Sequence, residues 1–209
     1  MRSWKLDNAK DVQKEFPYTF YKPSEEIISK LKVGDIVKLI FSFESDEPNV
    51  PRAERMWVII QSINSESYVG TLDNDPYHIK DIKAGDRVDF RKEHIIDFDT
   101  IEDLGIEDTN ADIIESYFKK CFVSNQIMNE GFKVGRLYKE KPEDEDDTGW
   151  VLLSNYESQE YMDDSSNMQF IAIGKILNID DSFIHLLNEP IDSEFERDAV
   201  TNSFYSINE

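Results

Sequence analysis

Apolar positions along the chain switch between a helical and an alternating period, and that switch predicts the elements. In "PSEEIISKLKVGD" (23–35), Ile27, Ile28 and Leu31 fall on one helical stripe. Ser24 suits the N-cap, Glu25 and Glu26 suit the first turn, and Gly34 ends the helix. The period then shortens. "DIVKLIFSF" (35–43) and "RMWVIIQSI" (55–63) are β-branched and aromatic runs that read as strands. "ESYVGTLDNDP" (66–76) adds a strand and a turn rich in Asp, Asn and Pro, and "DRVDFRKEHIIDF" (86–98) supplies the last strands of the first half. Residues 1–22 read as a polar lead-in with aromatic anchors Phe16, Tyr18 and Phe20 near its end.

One short pattern occurs twice: "KVGDIVKL" (32–39) and "KAGDRVDF" (83–90) share Lys-x-Gly-Asp-x-Val. Its physical content is a turn feeding a strand. Gly takes the awkward backbone angle, Asp accepts nearby N–H groups, and Val starts the buried alternation. Two such turns suit a small barrel without implying a duplicated unit.

"EDLGIEDTNA" (102–111) has linker character, and "TNADIIESYFKK" (109–120) reads as a helix with Ile113, Ile114, Tyr117 and Phe118 on one stripe. "CFVSNQI", "FKVGRLYKEK", "GWVLLSNY" and "NMQFIAI" then read as strands, "GKILN" and "DDSFIHLLN" as short helical turns, and "FERDAVTNSFYSI" as a closing strand, turn and strand. The pattern predicts an α+β protein of two small β-rich domains. The first, 1–104, is a barrel-like antiparallel sheet. A linker follows at 105–111, and 112–209 forms an antiparallel sheet with short helices.

Charge narrows the partners. Among 209 residues, 44 acids against 23 bases give a formal net charge of -21. Residues 1–111 carry -8 and residues 112–209 carry -13, so the second half is the more acidic. A chain with no basic excess cannot gain affinity by releasing counterions from phosphates, so nucleic acid is excluded as a general partner. A basic protein partner is favoured instead. The N-terminal stretch lacks the apolar core of a secretory signal, and no run approaches the ~18 apolar residues of a membrane span. A soluble, cytoplasmic protein without a membrane partner is expected. Cys121 is the single cysteine; it opens an apolar strand and reads as a buried structural thiol.

The chemistry-bearing motifs are few. Glu143, Asp144, Glu145, Asp146 and Asp147 are consecutive acids, with Trp150, Tyr156 and Tyr161 spaced after them. Asp144-x-Asp146-x-Thr148-Gly149 mimics the opening of a calcium-binding EF-hand loop. The closing glutamate position falls on Asn155 and the water-ligand position on Leu152, so a solvated hairpin loop is the better reading. His78, His94 and His185 lack paired ligand spacing, and His185 reads as a core-edge histidine. No nucleophile elbow or phosphate loop is present. No metal, cofactor or catalytic residue is therefore assigned. An alternative places a small ligand or an enzyme site on the first domain's barrel, near Trp57, Asp73 and Asp75. A general interaction module is a further alternative.

Two resemblances sharpen this picture. The Cys-Phe-Val-Ser opening at 121, Gly135 before an aromatic strand end, the acidic loop closed by Gly149-Trp150, "EYMDD", the leucine pair before Pro190, and Phe195-Glu196-Arg197-Asp198 occur in order. Over about residues 121–198 this resembles the immunity protein 33 family, also known as domain of unknown function 2185. "ERMWVII", "GTLDNDP" and "KAGDRVDFRKEHIIDF" resemble domain of unknown function 2314 over about residues 20–100. Arg55 stands where a histidine often precedes Met-Trp in that family, and Phe98 where a tryptophan often ends the motif. The first resemblance implies a bacterial immunity protein that binds and neutralises a cognate polymorphic toxin without catalysis. On that reading, Glu143–Asp147 with Trp150, Tyr156 and Tyr161 form the partner-binding set, since interface hot spots favour Trp and Tyr inside a polar rim.

Overall fold

A computed structural model describes residues 2–65 and 67–207. Glu66, the first residue of the stretch read as a strand, lies outside them. The chain divides into two compact units, one reaching Asp112 and one starting at Ile113.

In the first unit the elements are β1 (Trp4–Leu6), α1 (Ala9–Glu15), α2 (Glu25–Lys30), β2 (Ile36–Phe43), β3 (Ala53–Asn64), β4 (Ser67–Leu72), β5 (Arg87–Arg91) and β6 (Ile95–Asp99). The sheet runs β1-β2-β3-β4-β5, and every pair is antiparallel. β6 pairs with the first half of β2, and β1 pairs with its second half. A single 3-10 turn at Lys92–His94 carries the chain from β5 to β6 and so nearly closes a barrel. Register shifts at Lys38/Leu39 and Ile60/Ser62 bend β2 and β3, as curvature of this kind requires. The alternation seen in sequence is the burial pattern. Val37, Leu39 and Phe41 interlock inside with Met56, Val58 and Ile60, and with Val88 and Ile95.

The repeated Gly-Asp turn forms twice with the same bonds. Gly34 (φ 101°) and Gly85 (φ 90°) sit in the left-handed region. The Asp35 carboxylate accepts the Lys32 N–H at 2.7 Å, and the Asp86 carboxylate accepts the Lys83 N–H at 3.0 Å. Each turn is then pinned to a neighbouring strand: Gly34 N–H to Ile60 O at 2.9 Å, Gly85 N–H to Leu72 O at 2.8 Å.

α2 is capped as expected, with Ser24 Oγ accepting the Ile27 N–H at 3.1 Å. The lead-in differs from the expectation. It is not a loose segment but contains a strand and a helix. Trp4 is buried with its ring 5.0 Å from Phe41, and Ala9 and Phe20 build a second small core with Ile40 and Ile96. The spacing was there, with Trp4 and Leu6 alternating and Ala9, Val12 and Phe16 at helical intervals behind Asn8, but each run is too short to stand out in a polar stretch.

The second unit contains β7 (Lys120–Ser124), α4 (Asn125–Glu130), β8 (Arg136–Lys139), β9 (Asp147–Leu153), α5 (Gln159–Met162), β10 (Met168–Ala172), α6 (Ile173–Leu177), β11 (Glu194–Arg197) and β12 (Phe204–Ser206). α3 (Thr109–Ser116) spans the boundary and ends four residues earlier than its stripe suggests. Lys120 already belongs to β7, and Ile113 and Phe118 of that stripe are exposed. The sheet order is β10-β7-β9-β8-β11-β12. β7 and β9 run parallel and the other pairs antiparallel, so this sheet is mixed where an antiparallel one was expected. Two near elements, α4 and β8, intervene between β7 and β9 and reverse the chain. α4 was not visible as a helix: "CFVSNQI" reads as one strand, yet Ser124 Oγ accepts the Gln126 N–H at 3.2 Å and starts a helix there.

Leu137, Trp150, Leu152, Val123 and Phe195 line one face of the sheet. Cys121 is fully buried beside them, and burial, with Asp147 nearby, pushes its thiol well above the usual range. It is a packing residue, as expected from the strand around it. His185 is exposed on its short turn and not at the core edge. A buried ion pair locks the end of the sheet. The Arg197 guanidinium meets Asp180, donates to Val134 O at 2.6 Å and to Ser182 Oγ at 2.7 Å, and Asp180 accepts the Val134 N–H. With every partner present, the pair fixes the 180–182 turn; removing either member leaves a buried charge, at a cost of about 3–5 kcal/mol.

Candidate functional site

The acidic residues sit on the hairpin between β8 and β9, and the hairpin is rigid. Glu140 N–H donates to Gly149 O at 2.8 Å, closing its base. The Asp147 carboxylate is buried and accepts the N–H groups of Glu143 at 2.9 Å and Gly149 at 2.8 Å. Asp144 Oδ1 accepts the N–H groups of Asp146 at 2.9 Å and Asp147 at 3.0 Å. Thr148 Oγ1 donates to Lys120 O at 2.8 Å, and the Lys120 N–H reaches Asp146 O at 2.6 Å, which staples the hairpin to β7. Carboxylates beside their own backbone N–H groups are what make an Asp-rich turn stiff.

The five acids therefore divide. Asp147, and in part Asp144, build the turn. Glu143, Glu145 and Asp146 are exposed, and among the described residues none of these three has an ion-pair partner. A compact set of unneutralised charge is held on a fixed tip.

Trp150 lies at the foot of the hairpin. It is 1% exposed, so it is a core residue and not a surface anchor. Its Nε1 donates to Leu187 O at 3.3 Å. The Lys139 ammonium stands 5.3 Å from its ring centre and donates to Leu187 O at 3.3 Å and Glu189 O at 2.8 Å. Burial holds the Lys139 ammonium's pKa below its usual value. Lys139 thus fastens the segment 187–189 over Trp150. A cleft of about 700 Å³ opens here; Pro142, Asp147 and Thr148 of the hairpin, Tyr117, Leu187 and Ile191 are among the residues that line it, with Trp150 beneath. The lining is mixed, with Lys119, Lys139, Asp147 and Glu189 among apolar side chains, and such a cleft beside exposed carboxylates suits a protein partner that brings both apolar and charged groups.

The tyrosines do not join this cluster. Tyr156 follows the far end of β9, roughly 20 Å along the strand from the hairpin. It is 75% exposed, with its ring 5.5 Å from Phe132. Tyr161 is half-buried; its hydroxyl donates to Asn167 O at 3.3 Å and lies 3.3 Å from Ser124 Oγ, bracing the 158–168 loop. The sequence set therefore separates into a hairpin tip with its cleft, and two tyrosines elsewhere. The cleft's other wall, 184–191, was marked in sequence only by the leucine pair before Pro190, as part of the family resemblance and not as part of the partner-binding set.

In the first unit, Trp57, Asp73 and Asp75 serve the loop after β4. Asn74 Oδ1 accepts the Trp57 N–H, the Asp73 N–H donates to Trp57 O, each at 2.9 Å, and Asp75 accepts the Ala84 N–H at 2.9 Å. The Lys38 ammonium lies 4.2 Å above the Trp57 ring and pairs with Asp97 at 2.7 Å.

Among the described residues, no helix is long and apolar enough to cross a membrane. Family models match both units. Residues 121–208 match the Immunity protein Imm33 domain, and residues 2–107, just over half of the chain, match the Uncharacterized protein conserved in bacteria (DUF2314) family. Both matches reach beyond the stretches in which the sequence motifs lie, and the second takes in the β1–α1 lead-in. No curated protein and no solved structure matches the chain. The chain belongs to the DUF2314 family of uncharacterized proteins conserved in bacteria, and residues 121–208 of its second unit match the Imm33 immunity domain.

Proposed function

We propose that the protein is an immunity factor that binds a cognate toxin through the hairpin and cleft of its second unit and blocks it by occupancy, without catalysis. The observation that carries this reading is the fixed tip of Glu143, Glu145 and Asp146, without an ion-pair partner among the described residues and set beside a cleft of mixed apolar and charged lining, within an immunity domain. A net charge of -21 favours a basic toxin, and charge of this kind acts mainly on the association rate. The partner is a protein, not a nucleic acid or a membrane, and the encounter takes place in the cytoplasm.

The test is a triple charge reversal, Glu143→Lys, Glu145→Lys and Asp146→Lys, with Asp144 and Asp147 kept because they hold the turn. Association with the toxin is expected to slow by at least ~10-fold at low ionic strength and to lose most of its salt dependence, with an unchanged melting temperature. An association rate equal to the wild type at low salt would remove the hairpin from the account.

A further inference from the structure

The outer edge of β10 is open, and its chemistry differs from the rest of this acidic surface. β10 is "MQFIA", with no charge and no proline. Charges and prolines are the usual devices that keep an edge strand from pairing with another chain. β5, an edge of the first sheet, carries Arg87, Asp89 and Arg91.

The pairing with β7 decides which groups face outward. Ile173 N–H donates to Lys119 O, and Lys120 N–H turns the other way, to Asp146 O. Alternation from Ile173 assigns the backbone groups of Ile171 and Gln169 to β7. Those of Met168, Phe170 and Ala172 point out; Met168 N–H is taken by Ser165 O and Ala172 O caps α6, which leaves both groups of Phe170, Met168 O and Ala172 N–H for a partner. This outward set is symmetric about Phe170. Two copies brought together antiparallel place Phe170 against Phe170, exchanging both N–H···O bonds, and Met168 against Ala172 in both directions, each pair joined by one bond from Ala172 N–H to Met168 O.

The side chains fit the same arrangement. Phe170 lies opposite Phe122 on one sheet face, their ring centres 4.8 Å apart, and they are 39% and 40% exposed. A two-fold at Phe170 would bring two such ring pairs into one apolar row across the joined sheets. The match is between an uncharged strand and its own copy, which spares the interface the repulsion that the acidic faces would impose.

We propose that β10 pairs with β10 of a second copy of this chain, joining the two mixed sheets edge to edge into a homodimer. The inference is independent of the toxin reading and uses a different surface. Its salt dependence is diagnostic. Two bodies of charge -21 repel, and the only charge set over the joined strands is the Lys120 ammonium 5.5 Å from each Phe170 ring, which has no opposite charge across the axis, so added salt strengthens the dimer. A basic strand bound at the same edge would be weakened by salt.

Sedimentation equilibrium of the full chain tests this at about 0.05 and 0.5 M NaCl. The expected result is a concentration-dependent rise toward twice the 24.4 kDa chain mass, with a larger dimer fraction at the higher salt. Phe170→Lys, which sets like charges against each other on the axis, is expected to be monomeric, as is Met168→Lys, made in case the first variant fails to fold. Tyr205→Lys on β12, the opposite edge, is expected to leave the dimer intact. A monomer at both salts, a dimer that dissociates as salt rises, or a folded Phe170→Lys or Met168→Lys protein that still dimerises would each overturn the proposal.

Discussion

Gly149 and Asp147 shape the acidic hairpin more than its exposed acids do. Gly149 has φ 75°, and a Cβ there would lie 2.2 Å from Glu140 O. Neither strain can relax while the Glu140–Gly149 bond closes the hairpin. Gly149→Ala is therefore expected to destabilise the protein by about 2–4 kcal/mol, combining left-handed strain with a backbone clash. Urea unfolding measures it; a loss under ~0.5 kcal/mol would mean that the hairpin base is not fixed as described. The acids at the tip follow a different rule. They are solvated and without an ion-pair partner among the described residues, so their substitution leaves stability near its starting value and acts on encounter with a charged partner.

At the scale of elements, the lead-in is a structural part of the first unit. β1 covers the second half of β2, and α1 with Phe20 seals the small core around Ile40 and Ile96. Deleting residues 2–22 uncovers both. The shortened chain is expected to lose the cooperative thermal unfolding of its first unit, followed by circular dichroism, and an unchanged transition would contradict the packing role. This element also marks what the sequence could and could not show. The barrel strands were legible because each presents one apolar face, so Val37, Leu39 and Phe41 alternate cleanly. The Gly-Asp turns were legible because their residue types have one function in a turn. β1 and α1 were not, since the Trp4/Leu6 alternation spans only three residues and the Ala9, Val12 and Phe16 stripe only two turns, and their partners lie far along the chain. α4 was hidden because "FVSNQI" suits a strand until Ser124 caps a helix. Of the site, the acidic run was plain, but its division into turn-building and free carboxylates depends on hydrogen bonds. So does the position of Trp150 beneath the cleft, where the 187–189 carbonyls cover it.

For the whole molecule, the two units carry different tasks in this account. The first, of the DUF2314 family, is a nearly closed barrel whose Asn74 and Asp75 side chains serve its own backbone. The second bears the larger share of the negative charge, the rigid acidic tip and the open β10 edge. The central claim is that this molecule protects a cell by binding a toxin. The most direct measurement is growth of bacteria producing a candidate cognate toxin, with and without the chain co-expressed, followed by purification of the pair. The account predicts restored growth and a stable complex that retains the toxin. Cells that still die, with no complex recovered from a well-expressed, folded chain, would contradict it.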